Sequence, residues 1–284
     1  GGAFVVYFLP EFVQMFGGGD EQKGYPISLA VMGLLVVALL WACFAFTNER
    51  VVPEMTSSQQ QTSVNQDIKD ISKNSQWVII ASITFFLLTA VAMRGGVTNY
   101  YIEYFFDRKA SIGAFNSLGM AAGVAGALSV TIFKRHACKV ALFRWASIIV
   151  ICIHLGFFGL NRDQYEIALV LSMAANFFHM VVTVLLFSMV PDTVEYGKSA
   201  LKTAGNAMAM SFAGHLLALK FGIAVGGAMT GWGLAYVGYV ANAVQSESTL
   251  TGIVAIYASG PIVLGFVILA LLSRYKLTNQ EMTK

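Results

Sequence analysis

Long apolar runs separated by short polar breaks make up most of the chain. They cover about 1–16, 27–46, 77–101, 112–133, 140–160, 167–190, 205–236 and 253–273. A helix needs about 20 mostly apolar residues to cross the hydrocarbon core of a bilayer. Strand-length alternation with turn punctuation is absent, which excludes an outer-membrane β-barrel. The pattern predicts an all-α polytopic membrane protein with about 8 transmembrane helices. The first run opens at residue 1 without an initiator Met, a charged flank or a signal peptide. A fragment is therefore expected, with earlier spans lying upstream.

One polar segment interrupts this pattern. Residues 48–76 are rich in Gln, Ser and Thr with both charge signs, too polar to form a core of their own. They divide two spans from six. The expected organisation is the last two spans of one bundle over 1–47, a central linker over 48–76, and a six-helix bundle with a short tail over 77–284. Six spans after such a linker is the pattern of a twelve-span transporter built as two repeats.

Charge placement adds an orientation. One set of alternating loops holds Arg50, Lys69, Lys73, Lys134, Arg135, Lys139, Arg144, Lys198, Lys202, Arg274, Lys276 and Lys284, while the opposite set holds only Lys23, Arg94, Arg108, Lys109 and Arg162. The richer side is cytoplasmic by the positive-inside rule, so a cytoplasmic C-terminus and linker are expected. Composition agrees with the membrane class: 57% hydrophobic residues, 12% charged residues and a mean hydropathy of +0.68. A soluble domain carries about 25% charged residues. Cys43, Cys138 and Cys152 have no metal-ligand or CxxC spacing, so inert thiols are expected. No phosphate-cradling loop, HExxH or nucleophile–base spacing is present, and no exposed basic surface with interleaved aromatics. Neither an enzyme nor a nucleic-acid binder is expected.

Against this background Lys220 stands out. Between Thr203 and Ser246 it is the one Asp, Glu, Lys or Arg, and a charge at membrane depth usually faces a partner or a water-filled cavity. Steps of three, four and seven place Asn206, Ala209, Ala213, Ala224, Gly227 and Gly231 on its face. Two readings fit: a lysine lining a central cavity, or a structural ion pair. The pairs Gly222-x3-Gly226 and Gly227-x3-Gly231 are both spaced for close helix packing. His154, His179 and His215 are single histidines on apolar spans and suit hydrogen-bonded packing better than proton relay.

Two further groups carry candidate chemistry. Asp192 and Glu195, three apart after the sixth span, project together. They either latch the cytoplasmic mouth against Lys134, Arg135, Lys139 and Arg144, or are ordinary solvated loop charges. Arg94, Tyr100, Tyr101 and Tyr104 near the outer end of the third span are either interface anchors, with Arg94 snorkelling, or a sugar-facing patch.

At these residues the chain resembles the glycoside–pentoside–hexuronide:cation symporters, the melibiose permease-like family of the major facilitator superfamily. The resemblance rests on NER at 48–50, RGGVTNYYIEY at 94–104, PDTVEYG at 191–197 and KFGIAVGGAMTGWGLAYVGY at 220–239. It implies twelve helices in two bundles. It also implies symport of a sugar or glycoside with Na⁺ or H⁺ by alternating access, in a bacterial inner membrane, by a functional monomer without cofactor or bound metal. Lys220 is similar to the lysine that faces the coupling-ion carboxylates. Those carboxylates belong to helices upstream of residue 1. Thr183 and Leu216 fall where the permease lines its sugar site with Trp and Thr, so a differently shaped sugar site is implied. Asp192 and Glu195 resemble acidic members of the cytoplasmic gate. Lys198 stands where the family usually has an acid, and Asn206 where it has an arginine, so Lys198 or Lys202 is the implied source of the gate's positive charge, beside Arg144. Relatives on this fold that carry lysolipids, and a non-transporting membrane sensor, remain rival readings.

Overall fold

The computed structural model describes residues 2–18, 20–47, 64–133, 138–200 and 207–277, and the motif at 48–50, the basic positions Lys134 and Arg135, and Lys202 and Asn206 lie outside the described residues. All eight apolar runs are helical: α1 (Gly2–Gly17), α2 (Glu21–Phe46), α4 (Ser75–Tyr100), α5 (Ile112–Phe133), α6 (Lys139–Gly156), α7 (Tyr165–Ala200), α8 (Ala207–Tyr236) and α9 (Glu247–Leu272). Seven of these are long and apolar enough to cross a membrane, and α1, with 16 residues, falls short of that length.

The additional helix, α3 (Val64–Lys73), occupies part of the segment read from sequence as linker. That segment is not uniformly unstructured. Ile71 is buried while Ile68, Lys69 and Ser72 are exposed, so α3 is amphipathic and lies along the starts of α8 and α4. Asn74 ends it and caps the next helix, its Oδ1 accepting from the Trp77 N–H at 3.1 Å. The sequence boundary for α7 falls short as well. PDTVEYG continues the helix through Pro191 to Ala200, so Asp192 and Glu195 stand on a helix rather than a loop. Proline is tolerated in a spanning helix where neighbours satisfy the freed backbone groups.

The chain forms two compact units, residues 1–59 and 60–284. In the first, α1 and α2 pack as an antiparallel hairpin, with Asp20 capping α2 through the N–H groups of Gln22 and Lys23. In the second, α4 is central, packing on α8, α9 and α7; α7 also carries α5 and α6, and α6 closes on α9. Its interior has two apolar clusters. One gathers Ile83, Leu87, Phe143, Leu185, Met189 and Ile268. The other gathers Val97, Tyr101, Phe115, Phe157, Ile253 and Tyr257. Along α4, α6 and α7 the polar residues Arg94, His154, Asn176 and His179 fall between the two clusters. Outward-facing Leu128, Trp145, Val170, Trp232 and Phe266 are exposed, as expected of surface that meets lipid.

Candidate functional site

Helix α8 has two different faces. On one, Gly222 and Gly226 meet α4 backbone: a Cβ on Gly222 would stand 2.5 Å from the Phe85 carbonyl oxygen, and one on Gly226 would stand 2.5 Å from that of Thr89. Here only glycine allows the approach, and Thr89 and Thr230 add hydroxyl-to-carbonyl bonds across it, to Gly222 at 3.2 Å and Met93 at 3.2 Å. Gly227 and Gly231 meet nothing within 4 Å. The two glycine pairs that look alike in sequence thus do different things, and only the first makes a packing contact among the described residues.

Lys220 belongs to the second face. With Ala209, Ala213, Ala224, Gly227 and Gly231 it is exposed, turned away from α4, but Leu216, Leu217 and Ile223, three and four residues from Lys220, are exposed beside it, so the face read from spacing is small only in part. No ion pair to Lys220 is formed among the described residues. Leu216, one turn earlier, is 49% exposed on the same side of α8. Thr183 is half-buried on α7 and returns its hydroxyl to the His179 carbonyl at 2.8 Å. His215 is buried beneath α8. The Thr84 hydroxyl donates to the Ile80 carbonyl at 2.8 Å and therefore accepts from His215 Nδ1 at 3.1 Å, which ties α4 to α8.

At the Lys/Arg-rich end, Asp192 pairs with Lys139, Nζ lying 2.8 Å and 3.1 Å from its two oxygens. Lys139 is the first residue of α6, so this contact joins two neighbouring helices of one bundle. Of the gate residues expected from sequence, Glu195 and Arg144 are exposed, and Lys198 is helical with its side chain outside the described set. Of the cations near in sequence, Lys139 and Arg144 are described, and the pairing of α6 with α7 brings Lys139 to the carboxylate. Around this pair Asn74 donates to the Thr193 carbonyl at 2.7 Å, and Gln76 Oε1 accepts from the Lys276 N–H at 2.8 Å. Burial, then the nearby Asp192 carboxylate, pushes the Tyr275 phenol above its ordinary pKa, so it stays neutral here.

At the opposite end Arg94 does not snorkel. It is 6% exposed, and Nη2 donates to Asn176 Oδ1 at 2.7 Å. Tyr101 is fully buried, its ring stacked on that of Tyr257 at 4.6 Å. Tyr101–Phe105 form a π-helical turn; Tyr100 just before it and Tyr104 within it both pack edge-on to Tyr239, and the Tyr104 and Tyr239 hydroxyls lie 3.0 Å apart. The structure separates the RGGVTNYYIEY group into a buried pair, Arg94 and Tyr101, and a half-buried rim of Tyr100, Tyr104 and Tyr239. Tyr239 closes the 220–239 motif, but sequence reading does not place it among the site residues. Ion pairs from Lys109 to Glu103, Arg108 to Glu166 and Arg162 to Glu247 also lie at this end.

Among the described residues no group of three or more His, Cys, Asp or Glu side chains could hold a metal. The comparisons with known proteins give this geometry a family. Residues 1–279 match the family described as MFS/sugar transport protein. The chain is similar to "Inner membrane symporter YicJ" of Escherichia coli, 31% identical over 99% of this chain and 60% of that protein. It is similar to "Putative glycoside/cation symporter YagG" of the same organism, 33% identical over 94% of this chain and 57% of that one. A third relative is "Isoprimeverose transporter" of Lactiplantibacillus pentosus, 26% identical over 88% and 52%. The chain spans at most 60% of the length of these relatives. By the match over nearly its whole length, the chain belongs to the MFS/sugar transport protein family, a family of multi-pass transporters rather than enzymes.

Proposed function

We propose that the chain is the C-terminal part of a secondary transporter that carries a sugar or glycoside together with Na⁺ or H⁺ by alternating access. Lys220 carries the reading. Its ammonium sits in mid-span on an exposed face of α8, lined in part by small residues and turned away from the bundle's own packing. A charge so placed at membrane depth calls for a carboxylate, a substrate or water opposite it. The missing partner belongs to the other half of the transporter, and Lys220 links occupancy of the cation site to that of the sugar site. Leu216 on the same face and Thr183 on α7 shape the sugar site, and Tyr100 stands at its outer rim. The names borne by YagG and the isoprimeverose transporter support a glycoside-type cargo.

On the cytoplasmic side, which also holds the C-terminus, Asp192 held by Lys139 presents Glu195 outward for a gate contact with the other bundle. Arg144, on α6, is the gate cation of this reading among the described side chains, and the family resemblance adds Lys198 and Lys202. The transporter works as a monomer in the bacterial inner membrane and needs no cofactor beyond its coupling ion.

The test is gradient-driven uptake of a radiolabelled glycoside by the full-length protein in proteoliposomes. Lys220→Leu is expected to reduce uphill accumulation to the level of empty liposomes while the protein still folds and inserts. Undiminished coupled uptake by this variant overturns the assignment. Lysolipid flux without glycoside flux would overturn the cargo.

A further inference from the structure

Asn99 on α4 and Asn116 on α5 are amides set in spanning helices, about two turns inside the ends that lie away from the Lys/Arg-rich loops, the outer ends in the proposed orientation. Asn116 Nδ2 donates to Asn99 Oδ1 at 3.0 Å. Asn99 is exposed and Asn116 half-buried. Along its length α5 packs against α7 rather than against α4, so this bridge spans an opening between two helices. Gly95 and Gly113 stand one turn from the asparagines on the same two faces, and a Cβ on either would meet nothing within 4 Å. The space beside the bridge is open.

Helix α7 lies behind this opening. Arg94, from α4, donates to Asn176 Oδ1 at 2.7 Å, and Gly119, from α5, comes so near that a Cβ would stand 2.8 Å from the Asn176 amide nitrogen. Asn176 thus lies between α4 and α5. Asn99 is five residues outward of Arg94 and Asn116 three outward of Gly119, which sets the bridge about one turn outside Asn176. Met180 and Thr183 follow Asn176 on one face of α7, at steps of four and seven. Met180 is exposed and Thr183 half-buried. One surface therefore runs inward from the amide bridge, over Asn176 and Met180, to Thr183. The bridge also leaves hydrogen-bonding capacity unused. Asn99 keeps both N–H groups of Nδ2 and Asn116 keeps Oδ1, and among the described residues neither atom has a partner. Open amide groups in a span face water or a polar ligand rather than lipid. A donor and an acceptor on adjacent side chains match a hydroxyl, which accepts one hydrogen bond and donates one. A carboxylate would be repelled by Asn116 Oδ1, and an apolar group would leave both amides unsatisfied.

We propose that Asn99 and Asn116 form an outer subsite that takes one hydroxyl group of a neutral sugar ring as the glycoside enters from outside, before it reaches Thr183. Thr183 lies about 10 Å further in than Asn176 along α7, more than one sugar ring spans, so the subsite is separate from the inner one. The inference rests on the symport reading and adds to it the chemistry of first contact.

The experiment measures uptake by the full-length protein in proteoliposomes. The probes are radiolabelled isoprimeverose, the sugar named for one relative, and methyl β-D-glucoside, followed by the monodeoxy derivatives of whichever is carried. Asn99→Ala and Asn116→Ala are each expected to raise the half-saturation concentration for the parent glycoside roughly three- to tenfold, the worth of a neutral hydrogen bond. For one deoxy derivative the variants and the unmodified protein should share the same half-saturation, because the hydroxyl that the amides bind is already missing. A purely structural tie between α4 and α5 would instead shift every derivative alike and lower Tm. Should an alanine variant fail to fold, Asn99→Ser and Asn116→Ser take its place and are read in the same way. If the unmodified protein carries neither probe, the symport reading falls and the subsite with it. If it carries one, and the variants match the unmodified protein or shift every derivative equally, the subsite alone is overturned.

Discussion

Three residues that look alike in the sequence, each a polar group set in an apolar span and two of them on α8, are treated in three ways by the fold. Lys220 faces outward from its bundle, Arg94 is enclosed, and His215 is consumed by packing. For His215 the hydrogen bonds fix the chemistry. Thr84 must accept from Nδ1 because its own proton goes to the Ile80 carbonyl, so Nδ1 carries a proton and donates, tying α8 to α4. Thr84→Val keeps the shape and removes the acceptor, leaving a buried N–H unpaired at a helix interface. A loss of about 1–3 kcal/mol is expected for such a group, read as a lower Tm of the detergent-purified protein. Thr84→Ser should restore most of it, and an unchanged Tm for the valine variant would show that the bond carries no stability.

At the scale of the element, α8 shows how one helix serves two environments. Its Gly222 and Gly226 let the α4 backbone approach, while Gly227 and Gly231 leave an open surface. Adjacent glycines therefore answer the same substitution oppositely. Gly226→Ala puts a Cβ 2.5 Å from the Thr89 carbonyl oxygen and 2.8 Å from the Ala92 methyl, so the helices must part. Overpacking of this kind costs about 1–3 kcal/mol. Gly227→Ala meets nothing within 4 Å and should leave thermal stability unchanged or slightly raised. Equal destabilisation by both, measured in one melting series, would refute the division of faces. The same helix explains why α3 is helical at all: its isolated sequence is short and polar, but burying Ile71 against the neighbouring helices supplies the contact that propensity does not.

For the whole molecule, the outward face of α8 should meet water at some stage of transport, not lipid alone. In a background with Cys43, Cys138 and Cys152 replaced, single cysteines at Ala213, Ala224 and Gly227 are expected to react with a membrane-impermeant maleimide. A cysteine at the lipid-facing Trp232 should not. Uniform failure of the Ala213, Ala224 and Gly227 sites would mean that lipid or protein covers the face throughout. How much of this was legible beforehand follows from the physics of each feature. Bilayer thickness sets a length that a run of apolar residues either reaches or does not, so the helical spans and the oddity of Lys220 could be read from the chain. The helical repeat puts Ala213, Ala224 and Gly227 on the side of Lys220, but Leu216, Leu217 and Ile223 share that side and are exposed, so spacing alone does not make the face small. What a spanning sequence does not mark is which apolar side meets protein and which meets lipid, since both are equally apolar. Only the tertiary structure decided that Gly222 rather than Gly227 touches α4, that Asp192 takes Lys139 from among several cations, and that Arg94 turns inward to Asn176. Each of these depends on which helices become neighbours. That is settled by close packing and by hydrogen bonds between residues 53 to 133 positions apart, beyond the reach of any local pattern.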